Sequence, residues 1–282
     1  MITRLKNKLF HFLNGRYGLT LRPTVHTTLL NKQLNVIKGT IPPDPDYDTA
    51  WSLAMAHHAK IVFDVGANIG QSALTILCVP TVEKIVLIDP NPRALGQAAE
   101  NLFLNNLANN AIFVPAFAAD RENETVKFWT VDNGAAGSMF ANHAQSAKQL
   151  NRSSNVPTIT LDSLSDHYGL MPDYIKVDVE GAESLVLAGA VQIAQKQTCQ
   201  FLVEMHSNHD LTMRDNAAKI INWCRSNAYR AWYLKEHCLL EDPALIAHRG
   251  RCHLLLLPEK RPFPPYLKTI EQGAPLTSVH LK

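Results

Sequence analysis

Short apolar runs alternate with amphipathic stretches from residue 61 onward. Ile61-Val62-Phe63-Asp64-Val65 reads as a strand ending in a glycine-containing turn, and a helical pattern follows over Gln71 to Leu77. Lys84 to Asp89 is a second strand. Pro92 to Leu107 is a helix with proline in its first turn, and Ala111 to Ala118 is a third strand. Thr125 to Val131 alternates as an added antiparallel strand would. Further strands are expected over Tyr174 to Val179, Gln200 to His206, Arg230 to Lys235 and His253 to Leu257, with helices over Ala182 to Ala190 and Arg214 to Asn227. Strands alternating with helices imply a doubly wound α/β sheet with right-handed crossovers.

Outside this core the pattern weakens. Ile2, Leu5, Leu9, Phe12 and Leu13 share one helical face, with Gly15 as a stop, and residues 16–50 read as irregular or short elements. Ile41-Pro42-Pro43-Asp44-Pro45-Asp46 is the clearest linker. From Asp132 to Asn155, 15 of 24 residues are Gly, Ala, Ser or Asn, a composition that suits a loop or lid. The expected organisation is an appendage over 1–50, a domain over 51–258 and a surface tail over 259–282.

Composition narrows the class. The chain has 282 residues, 46% hydrophobic and 18% charged, which excludes a largely disordered protein. No stretch approaches the 18 apolar residues of a membrane span. Five cysteines without a CxxC spacing fit reduced thiols in a cytoplasmic protein. Net charge is +2, but residues 1–43 hold seven basic and no acidic side chains, so the remainder carries −5. A basic arm on an acidic body suits an anionic partner or a plain solvated helix. Contact of residues 1–15 with an anionic membrane face is the expectation, and no nucleic-acid partner is expected.

Four constellations carry candidate chemistry. Asp64-Val65-Gly66-Ala67-Asn68-Ile69-Gly70 follows a strand and opens a helix. Its GxxxG spacing lacks the GxGxxG approach that makes room for a pyrophosphate, which favours an adenosyl ligand without phosphates. Asp89, at the tip of the next strand and fixed by Pro90-Asn91-Pro92, is placed to accept ribose hydroxyls. Asp178 and Glu180 in Lys176-Val177-Asp178-Val179-Glu180-Gly181-Ala182-Glu183 close a strand, where they would face a cationic cofactor or take a proton. The plainer reading of Glu180 and Glu183 is helix capping. Glu204-Met205-His206, with His209 and Asp210 behind, offers His206 as a general base or, with His209 and a carboxylate, a metal ligand. On a loop HxxH lacks the helical geometry of a metal pair, so no metal is expected.

The order of these motifs resembles the FkbM-like S-adenosylmethionine-dependent methyltransferases. The resemblance rests on FDVGANIGQ at 63–71, IDPNP at 88–92, TLDSL at 160–164 and YIKVDVEGAE at 174–183, about half the chain. It implies a class I methyltransferase fold, a seven-stranded sheet with the last strand antiparallel. It also implies S-adenosylmethionine as cofactor and O-methylation of a sugar or polyketide-type hydroxyl. By position, Asp64, Gly66, Asn68 and Gly70 would cradle the methionine end, Asp89 would bind the ribose, and Ala118 would lie by the adenine, with Ala67 and Asn91 counted among the cofactor-binding residues. Asp178 with Glu180 would lie near the transferred methyl, and the candidates for a base are Glu180, His206 and Asp178, in that order. The family more often has Glu where Asp89 stands. Two other readings stay open: a non-catalytic cofactor-binding subunit and a nicotinamide-linked oxidoreductase, the latter disfavoured by the glycine spacing.

Overall fold

A computed structural model describes residues 22–42, 46–131, 136–138, 153–207 and 210–279. The expected helix over 2–13, the seam of the linker at 43–45 and His209 lie outside the described residues. In chain order the strands are β1 (Thr24–Leu29), β2 (Lys32–Ile37), β3 (Ile61–Val65), β4 (Lys84–Ile88), β5 (Ala111–Val114), β6 (Phe117–Ala118), β7 (Thr125–Val131), β8 (Ala136–Ser138), β9 (Ser153–Ile159), β10 (Tyr174–Val177), β11 (Gln200–His206), β12 (Tyr229–Tyr233), β13 (Cys238–Leu239) and β14 (Arg251–Pro258). The helices are α1 (Thr49–Ala56), α2 (Gln71–Leu77), α3 (Pro92–Leu104), α4 (Leu161–Tyr168), α5 (Glu183–Ala188), α6 (Val191–Gln195) and α7 (Met213–Ser226).

The main sheet runs β13-β12-β14-β11-β10-β3-β4-β5. β5, β4, β3, β10 and β11 are parallel neighbours, and β14 enters antiparallel between β11 and β12. These are the expected seven strands with the last one reversed. Cys238–Leu239 adds an eighth at the edge. The central strands read as unbroken apolar runs because both faces are covered. Their alternate residues divide between two cores. Val62, Ile85, Leu87, Tyr174, Leu202 and Leu255 pack towards Trp51, Leu74 and Leu102 of α1–α3. Phe63, Val86, Ile88, Ile175, Phe201 and Leu254 pack towards Leu161, Leu187, Ile193 and Ile220 of α4–α7.

Several expectations are corrected. The run Ala111–Ala118 is two strands in two sheets, not one. Pro115 has no N–H for the ladder, and Val114 O instead accepts from Asp89 N at 3.2 Å and Ala116 N at 2.9 Å. β6 then joins β9, β7 and β8 in a small second sheet, so part of the expected loop over 132–155 is strand. Within the stretch read as irregular or short elements, residues 24–37 form a hairpin. Its two turn residues, Leu30 (φ 50°) and Asn31 (φ 64°), are both left-handed, as a two-residue hairpin turn of the right twist requires. α3 holds it: Ile37 N donates to Asn101 Oδ1 at 2.8 Å, and Asn35 N donates to Asn105 Oδ1 at 2.8 Å.

The segment after 258 is not a surface tail. Phe263, Leu267, Ile270 and Val279 are buried in the first core, and Trp51 Nε1 donates to Ile270 O at 2.9 Å. No described helix is long and apolar enough to cross a membrane. All five cysteine thiols are free.

Candidate active site

The carboxyl ends of β3, β4 and β10 meet the small sheet around a cleft. Its walls include Gly66, Asn68, Asp89, Asn91, Ala118, Asp178 and Glu180, so seven residues named from sequence converge there. Phe117 and Phe128, ring centroids 6.4 Å apart, add an aromatic wall from β6 and β7 that sequence reasoning missed. The alternation of Thr125–Val131 was the available signal: it predicts which residues of that strand face inward.

The β3–α2 turn is set by backbone conformation. Gly66 has φ 85°, Asn68 φ 48° and Gly70 φ 84°. Gly66 N and Ala67 N both donate to Ile88 O, at 2.8 and 3.2 Å, which ties the turn to β4. A Cβ on Gly66 would sit 1.8 Å from Asp178 O, so this glycine lets the β3 and β10 ends touch. Gly70 permits a close approach of a helix. Its Cα faces α3, where a Cβ would meet Ala98 Cβ at 2.8 Å. Asp64 is fully buried below the turn and accepts from Ser72 Oγ at 2.6 Å; burial pushes its carboxyl upward. Asp64 and Ala67 thus do not line this cleft. Ala67 lines a neighbouring polar pocket with Asp48, Ser72, Lys176 and Asp178.

Asp89 stands just past β4. Oδ2 accepts from Asn68 N at 2.9 Å and Oδ1 from Asn91 N at 2.8 Å. Each oxygen keeps a second lone pair for a ligand hydroxyl. Burial raises the Asp89 carboxyl to about 6, against the pull of those two N–H groups. Asn91 caps α3 by accepting from Arg93 N at 3.1 Å, ahead of Pro92.

At the end of β10 the backbone is also unusual. Asp178 N donates to Val65 O at 2.9 Å, Glu180 has φ 53°, and Gly181 has φ 99°. Asp178 Oδ2 pairs with Lys176 Nζ at 3.1 Å, and that buried ammonium also meets Asp48 Oδ2 at 3.3 Å. Burial raises the Asp178 carboxyl to about 6, the Lys176 charge opposing it. The side chain of Glu180 is 46% exposed on the cleft wall. Glu183 is no exposed cap. It is fully buried and accepts from Gly181 N at 2.9 Å and from Asn216 Nδ2 at 2.9 Å, and its Oε1 lies 3.1 Å from His206 Nδ1.

His206 ends β11 and does not sit on a loop. It is also not the neutral base anticipated. Burial disfavours its charge, but the contacts with Glu183 and Glu204 and the charges of Glu180 and Asp178 win and push it up to about 11. At neutral pH this ring carries a proton and cannot accept another. Nor does it lack neighbours. Asp178, Glu204 and His206 each offer a ligand atom, all within 4.8 Å of one another, and Asp48, Glu204 and His253 do the same deeper in the fold. Glu204 lies two residues back on the same face of β11, and β10 and β14 bring the others.

Residues 64–231 match the family model described as the methyltransferase FkbM domain. No curated protein matches the chain. Among solved structures the chain is similar to a methyltransferase FkbM from Methylobacillus flagellatus, at 15% identity and a TM-score of 0.45. That match covers 70% of this chain and 43% of that one, so the chain spans less than half the length of that relative. It is similar to a SAM-dependent methyltransferase from Agrobacterium tumefaciens at 12% identity and a TM-score of 0.45, covering 86% and 72%. It is also similar to TYW2 of M. jannaschii, solved with AdoMet, at 12% identity and a TM-score of 0.41, covering 84% and 85%.

Proposed function

The chain belongs to the FkbM methyltransferase family, and from that premise we propose that it methylates a hydroxyl group of a sugar, glycan or polyketide-type acceptor. S-adenosylmethionine is the cofactor, and it supplies a methyl group already activated on a sulfonium, so that the acceptor oxygen gains the methyl while sulfur keeps the bonding pair. The observation that carries the reading is the placement of Asp89, Gly66 and Glu180 on one cleft at the carboxyl ends of the strands.

The chain's own residues divide the work. Asp89 would take the ribose hydroxyls, its carboxylate pre-aimed by Asn68 N and Asn91 N. Phe117, Phe128 and Ala118 would hold the adenine, and the Gly66–Asn68 turn the methionine end. No phosphate cradle is present in the turn, which suits a nucleoside ligand better than a dinucleotide. Glu180, on the cleft wall, would take the hydroxyl proton. His206 is already protonated, and Asp178 is held by Lys176.

Asp89→Ala should weaken S-adenosylhomocysteine binding about 10–100-fold, because hydrogen bonds to a charged group are worth roughly 1.5–3 kcal/mol. The wild-type affinity should also depend on pH. Ribose hydroxyls donate to the ionised carboxylate, so binding must expel the proton that Asp89 holds below about pH 6. Calorimetry from pH 5 to 8 should show affinity constant above that point and falling below it, by up to about tenfold per pH unit for full linkage. The alanine variant should lose this dependence. An unchanged dissociation constant in Asp89→Ala would remove Asp89 from the ribose position.

A further inference from the structure

We propose that Asp178, Glu204 and His206 bind one divalent cation of the Mn²⁺ or Mg²⁺ class at the edge of the methyl-transfer site. The ring of His206 is oriented as a metal ligand is. Its Nδ1 is committed to Glu183 Oε1 at 3.1 Å, and Glu183 is fully buried and fixed by Asn216 and Gly181. Such a carboxylate behind an imidazole sets the tautomer and directs Nε2 outward. Here Nε2 faces Glu204 Oε1 at 3.4 Å and Glu180 Oε2 at 3.7 Å.

Those spacings are long for charge-assisted hydrogen bonds, which lie at about 2.7–2.9 Å. The 3.4 Å between His206 Nε2 and Glu204 Oε1 suits atoms that share an ion, and Asp178 offers an oxygen within 4.8 Å of both. Two ligands each about 2.1 Å from a metal, at angles of about 90–110°, stand about 3.0–3.4 Å apart. The ion would take the place of the proton on Nε2.

Charge points the same way. Asp48, Asp178, Glu183 and Glu204 form one network with Lys176 and Arg251 as its permanent cations. Glu180 at His206 and Asp46 at Arg251 belong to the same network, so its carboxylates outnumber these two cations and a divalent ion would offset part of the excess. Two carboxylates and an imidazole are a mainly hard donor set, suited to Mn²⁺ or Mg²⁺ more than to a thiolate-seeking metal.

The role of the ion rests on the methyl-transfer reading, although its binding does not. Next to Glu180 it would hold the acceptor oxygen and ease loss of the hydroxyl proton to that carboxylate. This reverses the metal-free expectation from sequence.

The test uses the purified full chain, stripped with a chelator and titrated with Mn²⁺ while the free-ion electron paramagnetic resonance signal is followed. One Mn²⁺ per chain is expected, with the dissociation constant raised at least about tenfold in His206→Asn and Asp178→Asn. A measurement on the unaltered chain guards against a variant that fails to fold: Mn²⁺ should broaden the amide signals of Val179 and Met205 before those of β5. Absence of uptake at millimolar Mn²⁺ overturns the site. So does uptake that survives His206→Asn but is lost in His253→Asn, which would move the ion to Asp48, Glu204 and His253. S-adenosylhomocysteine binding measured on the same samples separates the two readings. Cofactor binding without Mn²⁺ uptake defeats the cation alone, and Mn²⁺ uptake without cofactor binding defeats the methyl-transfer reading alone.

Discussion

Gly66→Ala should abolish measurable cofactor binding and lower the melting temperature by about 6–12 °C, from a loss of about 3 kcal/mol or more. Two effects combine. Gly66 holds φ 85°, a conformation that costs an L-residue roughly 1–2 kcal/mol. The added Cβ would also lie 1.8 Å from Asp178 O and 2.8 Å from Asp178 C. Those are backbone atoms at a strand end, tied to Val65 through Asp178 N, and they cannot swing aside as a side-chain tip would. Relief must come from parting the β3 and β10 turns, and these are the two turns proposed to carry the cofactor cradle and Glu180. Gly96→Ala is the control. Gly96 lies inside α3, and a Cβ there meets nothing within 4 Å, so alanine should be neutral or stabilising by about 0.4–1 kcal/mol. Thermal melts with calorimetry on both variants check the pair. A Gly66→Ala chain that melts and binds like wild type would mean that the two turns do not meet as described.

Glu180→Gln should lower kcat by about 10²–10⁴ while leaving the cofactor dissociation constant within about twofold. Glutamine keeps the shape and removes the basic oxygen, so the loss falls on proton removal and not on binding. The backbone supports this placement independently of the side chain. Glu180 sits at φ 53°, a strained region for a non-glycine residue, and such strain persists where a site requires it. Glu180→Gly should therefore raise stability, by up to about 1 kcal/mol, and still lose activity. Initial rates with a methylatable acceptor, set beside thermal melts, measure both effects. A Glu180→Gln enzyme within about threefold of wild-type kcat would displace Glu180 as the base.

The parallel strands were legible because burial on both faces writes a strand as a continuous apolar run. Gln200–His206 was bounded correctly for that reason. The β3–α2 turn was legible because its φ of 85° requires Gly66, and Asp89, which accepts from that turn at Asn68 N, stands at the end of the next apolar run. The hairpin at 24–37 was not, since Leu30 occupies a left-handed position where glycine or asparagine would have signalled the turn. The anchoring of 259–279 was hidden for another reason. Four apolar residues spaced three to nine apart fill gaps in an existing core and need no periodicity of their own. His206 shows where residue type alone misleads. Its ordinary pKa suggests a base near neutrality, but the carboxylates that reverse that role come from Glu183 on α5 and Glu204 on the same strand. Lys176, Asp48 and His253 join them from β10, the start of α1 and β14, so only the folded sheet assembles the network.

Methyl-tritiated S-adenosylmethionine, incubated with the full chain and fractionated glycan and lipid extracts, tests the central claim most directly. The site predicts label on an acceptor hydroxyl, recovered as an alkali-stable methyl ether after purification. Label recovered on nitrogen or carbon would contradict transfer to oxygen. A chain that binds the cofactor and labels no acceptor hydroxyl in any fraction would contradict the enzymatic reading itself.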